Sequence, residues 1–325
     1  MSPLRRGPAG DRGAAGDHGL ADDRGPAGAR ALPLTRRTAV ALTLVTAVGL
    51  MAFLWPLLAE SGATLTDGTT APLVLGVVVL AVLAVLFVGL ADGGIDVKAI
   101  AVLGLLAALG AVLRPLAAGT AGVETVFVTI ILGGRVLGPG FGFVLGSTTI
   151  FASALLTGGV GPWLPFQMLG ASWVGLGAGL LPGRARGGRE LAVLAAYGAV
   201  ASLGYGLLMN LSFWPFQLGG ATALSYVPGA GVGENLHRFV LYSVTTSLGW
   251  DLGRAITTAV GVLVLGRPVL ATLRRAARRA RFGPPAGPAE PARPAGPSRR
   301  PAAAPAVQEV TQSPPERGRR PDLSA

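Results

Sequence analysis

Two opposite charges three residues apart, Asp251 and Arg254, interrupt the apolar run Phe239–Gly266. At the centre of a membrane helix each charge costs about 2.5–3.5 kcal/mol, so neither can be left facing lipid. A spacing of three puts both on one helical face, where they can neutralise each other. That arrangement is either a substrate or proton site, or an intramembrane ion pair that fixes helix packing. A second feature is Gly158–Gly170, GGVGPWLPFQMLG, a glycine-proline turn that carries Trp163, Phe166 and Gln167 into an apolar stretch. The Pro-Phe-Gln pattern recurs in the run 213–219, FWPFQLG, with Trp214, Phe216 and Gln217. Aromatic rings and amides at a membrane rim either anchor the protein or wall a pocket. Two such clusters predicted on one side of the membrane favour the pocket. Asn210, Glu234 and Asn235 could add hydrogen bonds there, as expected for a mostly apolar site with few polar groups. Glu124, at the start of a predicted helix, also has a structural explanation, because the helix dipole favours a carboxylate at that end.

The elements that must position these residues are membrane helices. Of 325 residues 51% are hydrophobic and only 13% charged, with a mean hydropathy of +0.57, against about 25% charged in soluble domains. Eight apolar segments are expected: Thr38–Leu58, Pro72–Ala91, Lys98–Leu113, Glu124–Leu137, Phe141–Leu156, Trp163–Leu181, Leu191–Phe213 and Phe239–Gly266. Arg114-Pro115, Gly138-Pro139-Gly140, Gly161-Pro162 and Pro182-Gly183 mark the seams between them. Arg36-Arg37 ahead of the first segment fits an uncleaved signal anchor. Residues 1–34 and the stretch from about Gly283 onward are rich in Gly, Pro, Ala and Arg without apolar periodicity, and are expected to be disordered. The glycine-every-third pattern from Gly7 to Gly19 is too short and interrupted for a collagen helix.

Net charge is +11, and its placement matters more than its size. Seven basic residues precede Thr38 and twelve follow Gly266. Eight spans with both termini cytoplasmic put these tails and the arginines of the 182–190 loop inside, leaving only Arg114 and Arg238 outside. The external loops are then 59–71, 114–122, 158–162 and 214–238, so the two aromatic clusters face the same exterior. The tails carry no interleaved aromatics, which argues against nucleic acid. With no cysteine, distant histidines at 18 and 237, no Ser-His-Asp order and no phosphate-binding glycine loop, neither metal nor enzymatic chemistry is expected. Any ATP hydrolysis belongs to another subunit. Gly104 with Ala108, and Ala107 with Ala111, give the spacing of small residues that lets helices approach closely.

Four features together resemble the substrate-specific S component of an energy-coupling factor (ECF) transporter. In order they are the alanine-rich Ile100–Leu113 ending at Arg114, Ile131–Gly142 (ILGGRVLGPGFG), Gly161–Gly170 (GPWLPFQMLG), and Trp250–Ala255 (WDLGRA). The resemblance covers about half the chain. It implies an all-α polytopic fold: a six-helix S-component-like membrane domain over residues 93–268, preceded by two extra transmembrane helices within residues 35–92. A cytoplasmic tail, 1–34, and a basic Pro/Ala/Arg-rich tail, 269–325, complete the chain. It also implies a cell-membrane subunit without a cofactor, which binds a vitamin or related micronutrient from outside. Its partners would be a transmembrane coupling subunit and two cytoplasmic ATPases. By position, the family's docking face falls on Gly104, Ala107, Ala108 and Ala111, and the outer binding site on Trp163, Gln167 and the 214–238 loop. Gly-Pro-Trp followed by Pro-Phe-Gln is most similar to the cobalamin-type branch, whose cargo is a corrinoid. The extra helices have no counterpart in that pattern. Without the resemblance, a secondary transporter driven by protons through Asp251 and Glu124, or a structural protein with no ligand, remains open.

Overall fold

The computed structural model describes residues 35–58, 97–116, 122–161, 163–217 and 222–280, with Val77, Ala81, Ala84 and Val88 as isolated positions. The 1–34 tail, residues 281–325, most of the expected span Pro72–Ala91, and the side chains of Phe216 and Gln217 lie outside the described residues. Every regular element among the described residues is an α-helix: α1 Arg36–Leu58, α2 Val97–Leu116, α3 Val126–Leu137, α4 Pro139–Thr157, α5 Leu164–Leu180, α6 Gly187–Gln217, α7 Val232–Thr246 and α8 Leu248–Ala280. Five of these, α1, α2, α4, α6 and α8, are long and apolar enough to cross a membrane. The protein is a polytopic all-α membrane protein.

α3 has only twelve residues, and nine of them are buried. A helix that is apolar on every side belongs in a core, and α3 packs against α2, α4, α5, α6 and α8. Around it the largest helix interface joins α4 to α5. Their backbones meet at Gly142 and Gly175, where a Cβ on either glycine would collide with the carbonyl of the other. Small residues at such a crossing allow the close contact that holds helices together in lipid.

α1, the first of the two helices outside the six-helix pattern, is seated against α5. Phe53 is fully buried, with its ring edge-on to Phe166 at 5.1 Å and 5.6 Å from Trp173. The Trp173 indole Nε1–H donates to Thr46 Oγ1 at 3.2 Å. Such aromatic pairs add about 0.5–1.5 kcal/mol each beyond area burial.

The expected last span, Phe239–Gly266, is two helices. α7 ends at Thr246, Ser247 leaves helical geometry (φ −125°, ψ −18°), and α8 starts at Leu248. Hydropathy shows only a short polar dip at the break, Thr245-Thr246-Ser247, between apolar residues on both sides. The local cause is the Thr245-Thr246-Ser247 run followed by Gly249, all poor in helix propensity. Ser247 Oγ–H donates sideways to Asn210 Oδ1 on α6 at 3.0 Å. Two consequences follow. Part of the expected 214–238 loop is helical at both ends, in α6 and α7. Asp251 and Arg254 also sit in the first two turns of α8 rather than mid-span. Asp251 therefore gains the favourable end of the helix dipole instead of bearing the full cost of the membrane centre. At its other end α8 runs past residue 268 to Ala280, because Leu270 and Leu273 are buried in the core.

Candidate functional site

One end of the bundle gathers the C-termini of α2, α4 and α6 with the N-termini of α3, α5 and α8. Four charged side chains meet there. Arg254 donates from Nε to Glu124 Oε2 at 2.6 Å and from Nη1 to Asp251 Oδ1 at 2.7 Å. Its guanidinium carbon lies 5.4 Å from the centre of the Tyr205 ring, which is itself edge-on to Phe127. Asp251 is buried, and Gly206 of α6 lies directly against its carboxylate, so a Cβ at 206 would displace it. Arg114, in the last turn of α2, is held more loosely. Its Nη2–H donates to Gln167 Oε1 at 3.1 Å, and its Nε is 3.7 Å from Glu124 Oε1.

Beside this network opens a cleft of about 320 Å³, walled by Arg114, Glu124, Ser153, Thr157, Trp250 and Arg254. Gly122 shapes one edge: it adopts φ +76° and lies against the Trp250 carbonyl, where a side chain has no room. Ser153 is fully buried and its hydroxyl has no hydrogen-bond partner among the described residues. Trp250 is 46% exposed. The arrangement can hold a small polar molecule against an indole. No group of three or more His, Cys, Asp or Glu side chains comes together as metal ligands among the described residues.

The residues singled out in the sequence take several separate places. Gln167 joins the charged network through Arg114. Trp214 and Asn235 form a second cluster that ties down the 222–231 segment. Trp214 is fully buried, packs on Tyr226 and Phe239, and donates from Nε1 to the Leu224 carbonyl at 2.7 Å. Asn235 is buried too, and bonds both the N–H and the carbonyl of Val227, at 3.1 and 2.9 Å. Trp163 and Glu234 stand apart and exposed. Trp163 Nε1 donates to the Gly159 carbonyl, and Glu234 pairs with Arg238 at 2.9 Å. Phe166 turns toward Phe53 of α1. Asn210 accepts from Ser247, while its Nδ2 is buried without a partner among the described residues. None of these side chains lines the described cleft. Its walls come from Arg254, read as half of an ion pair with Asp251, from Arg114, read as a helix stop, from Glu124, read as a helix start or proton-site carboxylate, and from Ser153, Thr157 and Trp250. The available signal was Arg114 and Glu124 on either side of one short connection, both beside the end of a membrane span.

At the opposite end of the bundle Glu190 is buried between two arginines. Arg135 donates to it at 2.8 Å and Arg274 at 2.6 Å. Arg135 also donates to the carbonyls of Leu181 and Pro182 at 2.8 and 3.2 Å. The α2 stripe does not form one surface. Ala107 and Ala111 are buried at 6% and 3%, on the side facing the chain's own core, whereas Gly104 and Ala108 are exposed and nothing lies within 4 Å of a Cβ at 104.

The sequence model of the ECF transporter substrate-specific component family matches residues 98–266, just over half the chain. The chain belongs to that family. No curated protein and no solved structure matches it. The matched region runs from the first turn of α2 into α8, so the charged cleft lies within the S component and α1 lies outside it. Membership makes the protein a substrate-binding membrane subunit of a transporter, not an enzyme, and implies partner coupling and ATPase subunits.

Proposed function

We propose that this S component captures a vitamin-type micronutrient at its cleft end, facing the outside of the cell membrane, for ATP-driven uptake by a coupling subunit and two ATPases. The observation that carries the reading is the ionic cluster of Arg114, Glu124, Asp251 and Arg254 set beside an open cleft at one end of the bundle. A bilayer protein places ionisable groups beside a water-filled cavity where a solute is handled. The orientation follows from the basic residues: Arg184, Arg186 and Arg189, and the arginines of α8 from Arg267 on, cluster at the other end, the pattern of a cytoplasmic face. Both termini are then cytoplasmic.

Cargo enters beside Arg114 and Gln167. Around that entry Trp163 and Glu234 stand exposed, while Trp214 and Asn235 hold the 222–231 segment in place. A corrinoid is the cargo favoured by the likeness of Gly-Pro-Trp and Pro-Phe-Gln to the cobalamin-type branch, whereas the dimensions of the cleft favour a smaller one. Docking on the coupling subunit uses the exposed small residues Gly104 and Ala108, with Ala107 and Ala111 seating α2 on the S component itself. A proton-driven mechanism through Asp251 and Glu124 is disfavoured, because both carboxylates are bonded to Arg254. The test is uptake by vesicles holding the full chain with its coupling and ATPase subunits. Uptake that needs ATP and survives an uncoupler supports the proposal; uptake that ignores ATP and collapses with the uncoupler refutes it.

A further inference from the structure

We infer that the cleft takes a compact, flat molecule bearing a single carboxylate-type anion, which Arg114 binds while Trp250 stacks on the ring. This rests on the proposal that the protein captures cargo, and it narrows the class of that cargo.

The two arginines at the site are unequally satisfied. Arg254 takes both short carboxylate contacts, at 2.6 and 2.7 Å, and lies over the Tyr205 ring. It is neutralised and anchored, and it serves as a positioning residue for Glu124. Arg114 has only a neutral amide at hydrogen-bond distance and a carboxylate at 3.7 Å. A guanidinium carries five N–H donors in a planar fork suited to a carboxylate, so most of that capacity is still open to a ligand. Four formal charges sum to zero across the cluster, yet the unspent donor capacity is concentrated on Arg114.

Glu124 limits what the anion can be. A dianionic phosphate beside Arg114 would also stand close to Glu124 and be repelled, whereas a monoanion needs only to take over the long Arg114–Glu124 contact. The remaining walls set the shape. Trp250 offers a half-exposed indole, Val123 and Pro115 are apolar, and Ser153 holds a buried hydroxyl without a partner among the described residues. An aromatic face beside a single hydroxyl suits a flat ring with one edge polar group. The volume, about 320 Å³, lies at the small end of the roughly 300–1,000 Å³ typical of ligand sites. One or two fused rings fit; a macrocycle does not.

The test is calorimetric titration of the detergent-purified full chain with two matched pairs, nicotinate against nicotinamide and indole-3-carboxylate against indole-3-carboxamide, with cyanocobalamin as a third probe. At least one acid should bind tenfold or more tightly than its amide. Arg114→Gln should erase that preference, Arg114→Lys should restore part of it, and Trp250→Phe should weaken binding and remove the quenching of tryptophan fluorescence. Thermal unfolding of each variant shows that it is folded. Three results would overturn the inference: neither acid binding, each amide binding as well as its acid, or tight cyanocobalamin binding that Arg114→Gln leaves unchanged. Acid binding without energised uptake would instead refute the importer reading and leave the cleft's chemistry standing.

Discussion

The two ends of the bundle each bury ionic groups, and they spend them differently. Around Glu190 one carboxylate faces two arginines, and Arg135 completes its shell with two backbone carbonyls. Glu190 and Arg135 side chains are only 3% and 8% exposed, and the cluster ties α3, α6 and α8 with the α5–α6 turn. Around Arg254 the count is balanced, two carboxylates and two arginines, but the contacts are not. Three groups close on one another, while Arg114, beside an open cleft, has one neutral hydrogen-bond partner and a carboxylate only at 3.7 Å. A closed cluster behaves as structure, since Glu190 and Arg135 meet their partners inside the protein. A cluster with unspent capacity next to a cavity behaves as a site.

The sharpest way to break this contrast is Glu190→Ala. It leaves Arg135 and Arg274 facing each other with no counter-charge, and removing one partner of a buried pair costs about 3–5 kcal/mol. Thermal unfolding in detergent should show a large loss of stability, and a variant as stable as the parent would deny the structural role. Next, Arg254→Met leaves Asp251 without its cation and Glu124 with only Arg114 at 3.7 Å, at a partly solvated end, so the loss should be smaller, about 1–3 kcal/mol, together with loss of ligand binding. Gly206→Val should reproduce the binding defect from the far side by pushing Asp251 off Arg254, read by the same titration. Trp214→Phe removes the indole bond to Leu224 and should cost about 0.5–1.5 kcal/mol while leaving the Arg114 preference for anions intact. The smallest stability effect belongs to Gly104→Leu, which meets open space. It should leave unfolding and ligand binding unchanged and lower energised uptake; undiminished uptake would remove Gly104 from the docking surface.

The helices were largely legible in the sequence because the membrane imposes a coarse rule, about 20 apolar residues per span. α1, α2, α4, α5 and α6 follow from hydropathy and from the Gly-Pro seams. The break at Ser247 is only faintly legible, as Thr245-Thr246-Ser247 and Gly249, and the hydrogen bond to Asn210 that fixes it is a tertiary contact. The same limit governs the site. Asp251 and Arg254 announced themselves as charges inside an apolar run, and three-residue spacing implied their pairing, which the structure shows at 2.7 Å. Glu124 as the second partner of Arg254 lies 130 residues away in sequence, a tertiary fact that no local pattern carries. Aromatic content singled out Trp214 and hydrogen-bonding capacity Asn235, but burial and backbone bonding turn both toward the fold of the 222–231 segment. The small-residue stripe of α2 read as a single face, and only the packing of α2 on α4 and α3 divides it into a buried and an exposed half.

Whether cargo is held at the Arg114 end is decided by mass spectrometry of small molecules retained by the purified full chain and by its Arg114→Gln variant. A molecule that copurifies with the parent and is absent from an equally stable variant is the predicted result. Equal retention by both proteins would contradict it.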